Sequence, residues 1–267
     1  MTTTTPRTEV LDAPEPPPPP PAAPRRHPVR VVTATACALL GTALLAGAAA
    51  TAWNDHRAAH RPLPPDAAYR KAASLWRSAP ADGLLPPVLD APDSGPGGAD
   101  RRWTRIALAP DADCAAALPA DWRTALAATG CTRVLRATYT DATRSSLVTV
   151  GLVFTPADAT AMAALRGRLG VPPAYEYADA RRAAWTATVS AQAPAVVYAV
   201  SAFADGRTVD APVPAEDAVR QGATGTVAEA GLGHDAKAAA DRVAQALTAL
   251  AAPDAIPGAA PSKGAAR

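Results

Sequence analysis

The chain has 267 residues, 49% of them apolar and 19% charged, with a formal net charge of +2, 29 prolines, 17 glycines and only 4% aromatics. That is enough apolar material for one ordinary domain with appendages, and it excludes a chain that is disordered throughout. Lys and Arg form no dense cluster, so nucleic-acid binding, which depends on phosphate neutralisation, has no support.

Residues 1–28 carry four consecutive threonines, the run Pro16 to Pro21 and no apolar periodicity, which predicts a disordered Pro-rich tail. The six prolines favour a polyproline II rod. With Arg25 and Arg26 as a basic flank it has the form of an SH3-type ligand, although such tracts more often serve as solvated spacers.

Residues 29–53 predict a transmembrane helix. Val31 to Trp53 holds no charge, and its 23 residues reach about 35 Å against a hydrocarbon core of about 30 Å. Arg30 stands before this run and Trp53 closes it at an interfacial position, so the membrane bilayer is the first expected partner. A cleavable signal is the rival reading: strong hydrophobes are few, and Ala50-Thr51-Ala52 is a small-x-small site that would leave a secreted protein cut near Ala52. Ala38, Thr42, Ala46 and Ala50 repeat every four residues, a spacing that allows two helices to pair in a homodimer.

Basic residues are nearly balanced across the span, with Arg25, Arg26 and Arg30 on one side and Arg57, Arg61, Arg70 and Lys71 on the other. Orientation therefore rests on cysteine. Cys37 lies in the span, while Cys114 and Cys131 form a pair beyond it that an oxidising compartment would close into a disulfide. This predicts a cytoplasmic N-terminus and an extracellular C-terminal domain; the alternative is two buried free thiols in a cytosolic domain.

Residues 54–100 read as a Pro/Gly-rich stalk, with one short helix starting at Pro65 and Asp66 that sets Tyr69, Ala72, Ala73 and Trp76 on one side. Residues 101–252 read as the extracytoplasmic α+β domain. Trp103 to Ala109 predicts a strand, Ala120 to Thr129 a helix ended by Gly130, and Thr132 to Thr140 with Leu147 to Phe154 a hairpin of alternating pattern. A helix follows with Thr155 as N-cap, Pro156 at its first position and the stripe Met162, Leu165, Leu169. Strands at Trp185 to Ala191 and Val196 to Phe203 come next, and Asp235 to Leu250 predicts the last helix, capped by Asp235. This order predicts a ferredoxin-like βαββαβ sandwich with an extra strand and a C-terminal helix, both inner helices lying on one face of the sheet. The 206–234 connection has no periodicity and is long for a compact domain, so it is either irregular coil or a binding segment. Residues 253–267 read as a disordered tail.

The chemical inventory is short. The domain owns one histidine, His234, and the chain has no Gly-x-Ser-x-Gly, no Gly-Lys-Ser/Thr loop, no His-Glu-x-x-His and no Cys-x-x-Cys. No catalytic, cofactor or metal residues are expected. Gly231 to Ala236 matches a degenerate G-x-G-x-x-A turn, but no strand leads into it. Asp111 and Asp113 are too few for calcium, and Arg133, Arg136 and Arg144 more readily face water than an acidic partner.

The Ala, Pro and Arg richness, the proline tail before one weakly apolar span, and the stretches Gly130-Cys131-Thr132-Arg133 through Gly151 and Gly231-Leu232-Gly233-His234 resemble uncharacterised single-pass membrane proteins of high-GC actinobacteria of the Streptomyces type. That resemblance implies a location and no activity. The expected role is a membrane-anchored extracytoplasmic domain, non-enzymatic, that binds an unknown envelope protein or ligand in assembly or sensing. The alternatives are an envelope hydrolase or transferase built on His234 with Asp235 or a nearby serine, and a cytosolic regulator.

Overall fold

The structure is a computed structural model that describes residues 28–59 and 63–252; the two expected tails, with their polyproline run, lie outside the described residues. The chain divides into two units, Met1–Arg61 and Pro62–Arg267.

In the first unit, helix α1 runs over Pro28–Ala59, and its Thr35–Arg57 portion of 23 residues is long and apolar enough to cross a membrane or to act as a signal sequence. Leu39, Leu40, Leu44 and Leu45 are exposed. The polar side chains along this face are partly masked: the hydroxyls of Thr42 and Thr51 donate to the carbonyls of Leu39 and Ala48 at 3.0 and 2.9 Å, which lowers the cost of placing them in hydrocarbon. Near the end of the span Arg57 stacks on Trp53 at 5.1 Å from the ring centre.

The second unit opens with three short helices, α2 (Pro65–Ala72), α3 (Leu75–Ser78) and α4 (Ala81–Leu84), followed by strand β1 (Val88–Ala91) and strand β2 (Arg101–Leu108). Helices α5 (Cys114–Ala117) and α6 (Ala120–Ala125) lead to the hairpin β3 (Arg133–Asp141) and β4 (Ser146–Phe154), and α7 (Ala159–Ala163) comes after it. Strands β5 (Arg182–Val189), β6 (Ala195–Phe203) and β7 (Val213–Pro214), short helices α8 (Ala215–Ala218) and α9 (Thr226–Glu229), and the long helix α10 (Leu232–Ala251) complete it.

The strands form one mixed seven-stranded sheet in the order β1-β2-β3-β4-β6-β5-β7, antiparallel except where β5 meets β7. The ferredoxin-like order expected from the sequence is therefore not what forms. That fold keeps its first two strands apart with a third between them, whereas here the α5–α6 connection returns the chain beside the strand it left, and β2 pairs directly with β3. The chain then continues as a meander until β6 takes the place next to β4.

The stalk expected over 54–100 is also folded into the domain from α2 onward. Leu84 and Leu85 are fully buried and Leu89 nearly so, each contributing about 1.5–3 kcal/mol, and β1 pairs with β2 in the register Leu89↔Trp103. Pro80, Pro86, Pro87 and Pro92 bound short elements rather than preventing them, because proline also narrows the unfolded ensemble that ordering must overcome.

Both faces of the sheet are covered. On one, Leu135, Ala137 and Tyr139 of β3, Val148, Val150 and Leu152 of β4, and Val197 and Ala199 of β6 pack against Ala236, Ala239, Ala240, Val243 and Leu247 of α10. On the other, the cross-strand row Val134, Val153 and Val196 lies under Trp122, Leu126, Met162 and Leu165. Tyr198 stands in this second layer, edge-on to Trp122 at 5.3 Å, and occupies the space opposite Gly151 where a Cβ would collide with its ring. Burial is accordingly continuous along β6 and nearly so along β4.

Two caps differ from those expected. Asp158, not Thr155, caps α7, accepting the Ala161 N–H at 2.8 Å, while the Thr155 hydroxyl bonds to Met162 Sδ at 3.1 Å. Helix α10 begins at Leu232 after Gly231 in the left-handed conformation (φ 73°), which places Asp235 inside its first turn.

Candidate functional site

Cys114 and Cys131 form a disulfide with a Cα–Cα distance of 6.1 Å, tying the start of α5 to the turn that enters β3. For a loop of this length the crosslink is worth about 3 kcal/mol. Arg133, two residues on, bonds Asp113 at 2.6 Å, lies 3.4 Å from Asp111 and stacks on Trp76 at 4.9 Å. The two aspartates considered for calcium and the arginine considered for an acidic partner thus engage one another. Arg136 stacks on Tyr175 at 5.2 Å, and Arg144 sits exposed in the β3–β4 loop. Among the described residues no group of three or more His, Cys, Asp or Glu is placed to hold a metal.

His234 is half-buried beside a cavity of about 220 Å³ that Ser94, Lys237 and Asp241 also line. Its Nδ1 lies 3.1 Å from the carbonyl oxygen of Ser94, whose own hydroxyl donates to the Pro92 carbonyl at 3.0 Å. The Ser94 hydroxyl is therefore turned to its own backbone and not to the imidazole. Asp235 points elsewhere, since successive helical residues diverge by about 100°. Its carboxylate is fully buried and accepts Arg101 Nε at 2.9 Å and a second Arg101 nitrogen, while its Oδ2 has no hydrogen-bond partner. Burial pushes the Asp235 carboxyl up, against the opposing pull of Arg101 and Ser146. Ser-His-Asp chemistry is not assembled here.

The glycine turn that resembles a dinucleotide loop has a packing role instead. A Cβ on Gly233 would come within 2.6 Å of the Ala218 Cβ, so glycine lets α10 approach α8, and helix α9, not a strand, precedes the turn. Within the span, Ala38, Thr42, Ala46 and Ala50 are all exposed on α1.

The 206–234 connection is ordered around a cleft. Thr186 donates to Glu216 at 2.8 Å, holding α8 to β5, and between this anchor and α9 lies a cavity of about 560 Å³. A second cavity of about 390 Å³ adjoins it, the two sharing Thr208, Val209 and Asp210. Sequence periodicity has no means of locating this cleft, because its walls come from loops and from elements of only two to four residues, β7, α8 and α9; the unusual length of the connection was the one signal available.

No family model, curated protein or solved structure matches this chain at a significant level.

Proposed function

We propose that this protein is a single-pass membrane protein whose second unit is held on the extracytoplasmic side and acts by binding a ligand or envelope partner. The observation that carries the reading is the Cys114–Cys131 disulfide in a chain that also bears the apolar Thr35–Arg57 helix, since such crosslinks persist in oxidising compartments. The binding role is supported by the cleft between α8 and α9 and by the structural engagement of His234 and Asp235. The resemblance to actinobacterial single-pass proteins agrees with this placement, and pairing of two chains through the Ala38–Ala50 stripe belongs to the same reading. The second reading, a secreted form cut after Ala52, is favoured by the small-x-small site at Ala50-Thr51-Ala52.

Alkylation of intact cells with a membrane-impermeant maleimide separates the cases. Cys114 and Cys131 are expected to label only after reduction; labelling confined to permeabilised cells would overturn the outward placement. Mass spectrometry of the mature N-terminus is expected to find the span retained, and a chain starting at Trp53 would establish the secreted form instead.

A further inference from the structure

We propose that the cleft in the 206–231 connection binds a small aliphatic ammonium ligand, its charge held by Asp210 and its carbon chain laid against Val213, Ala218 and Val227. The cavity of about 560 Å³ has the size of a small-molecule site. Its lining contains two carboxylates, Asp210 and Asp217, and no Lys, Arg, His or aromatic residue.

That lining decides the ligand class by elimination. Without an aromatic surface there is nothing on which a sugar or nucleobase can stack. Thr208, Thr224 and Thr226 add hydroxyls to the lining, but with two carboxylates and no basic side chain its charge opposes a phosphate or carboxylate. A metal ion lacks the carboxylate-rich ligand set it needs, since no group of three or more His, Cys, Asp or Glu occurs among the described residues. A cation with an apolar body satisfies both halves of the lining.

Asp210 is the free charge. Asp217 is paired with Arg220 on the exposed side of α8, whereas Asp210 has no hydrogen bond or ion pair among the described residues. Asp210 also stands at the junction with the second cavity, where Asp179 lies 3.8 Å from Arg182, so a ligand anchored at Asp210 has room to extend either way. Thr186 fixes α8 through Glu216 from outside the cleft, and Gly225, itself part of the wall, takes a positive φ of 97° at the start of α9.

This assignment rests on the reading of the second unit as a binding domain. It is tested on the full chain in detergent micelles, where membrane orientation has no influence, so the labelling experiment and this one can fail separately. Calorimetric titration with putrescine and n-butylamine is expected to show binding, and butanediol, equally long and uncharged, none. Asp210→Asn is expected to weaken putrescine about fivefold, the upper range for an exposed ion pair. Asp205→Asn, whose carboxylate pairs with Arg207 and does not line the cleft, is expected to leave it unchanged. Ala223→Trp, which fills the cleft, is expected to abolish binding. Absence of putrescine binding, equal binding of butanediol, or equal loss in the Asp210 and Asp205 variants would overturn the proposal.

Discussion

One face of the sheet is closed chiefly by α10, 20 residues long, with Ala72 of α2 and Leu84 of α4 packed in the same cluster, while the opposite face is closed by α5, α6 and α7, of four, six and five residues. The long helix presents alanines, Ala236, Ala239 and Ala240, that let it lie close along β4 and β6, so its stability comes from length and continuous contact. None of the three short helices has the length to persist alone. They are held instead by particular devices: the Cys114–Cys131 crosslink, the Asp158 cap, the Trp122 indole donating to the Gly170 carbonyl at 3.2 Å, and the interlock of Tyr198 with Gly151. The lesson is that one face should tolerate local damage and the other should not.

Trp122→Ala is the most severe test of that contrast. It removes a fully buried indole and its hydrogen bond, for an expected loss of about 3–5 kcal/mol, whereas Leu247→Ala on α10 is expected to cost about 2–3 kcal/mol. Thermal melts followed by near-ultraviolet circular dichroism measure both. Equal losses would show that the short-helix face does not depend on its aromatic anchor.

Reduction of the disulfide, or the double substitution Cys114→Ser with Cys131→Ser, is expected to lower stability by about 3 kcal/mol. The location of the effect is more telling than its size. Amide hydrogen exchange should accelerate first in α5, α6 and the turn at Gly130, with α10 protected to the same degree as before, relative to the new global stability. Exchange that rises uniformly would mean that the two faces unfold as one unit and would remove the distinction.

The same contrast explains what the sequence made legible. The stripe Ala236, Ala239, Val243 and Leu247 and the hairpin strands are periodic, so α10, β3 and β4 could be read directly, as could the disulfide pair. The second face was not readable as a face. Val134 and Val153 fall between the residues of the first-face pattern, and they register as interruptions unless a second covering layer is already known. That is why an antiparallel sheet covered on one side only was expected. The segment holding Leu84, Leu85 and Leu89 was hidden by its prolines, because proline signals a break in regular structure but says nothing about burial. The cleft depends on loops and very short elements meeting in space, for which a linear pattern has no counterpart, and the inward turn of Asp235 depends on Arg101, 134 residues earlier.

The smallest expected effect comes from Asp141, which belongs to neither face. At the end of β3 its Oδ1 accepts the N–H groups of Ser145 and Ser146 at 2.7 and 2.9 Å, and its Oδ2 accepts the hydroxyls of Thr143 and Ser145. Burial works to raise this carboxyl, but the hydrogen bonds from Thr143, Ser146 and Ser145 outweigh it and hold it below its ordinary value of 3.8. A carboxyl lowered on folding contributes stability that is present above its unfolded value and is lost as the pH falls through the folded one. Asp141→Asn is therefore expected to cost about 1 kcal/mol at neutral pH, or about 2–4 °C in Tm, and the difference from wild type should shrink in acid below that ordinary value. Because the hairpin strands underlie both layers, the Asp141 loss should raise exchange in α6 and α10 alike. A loss confined to one of them would show that the loop supports a single face, and a difference from wild type that grows in acid would reverse the sign assigned to the carboxylate.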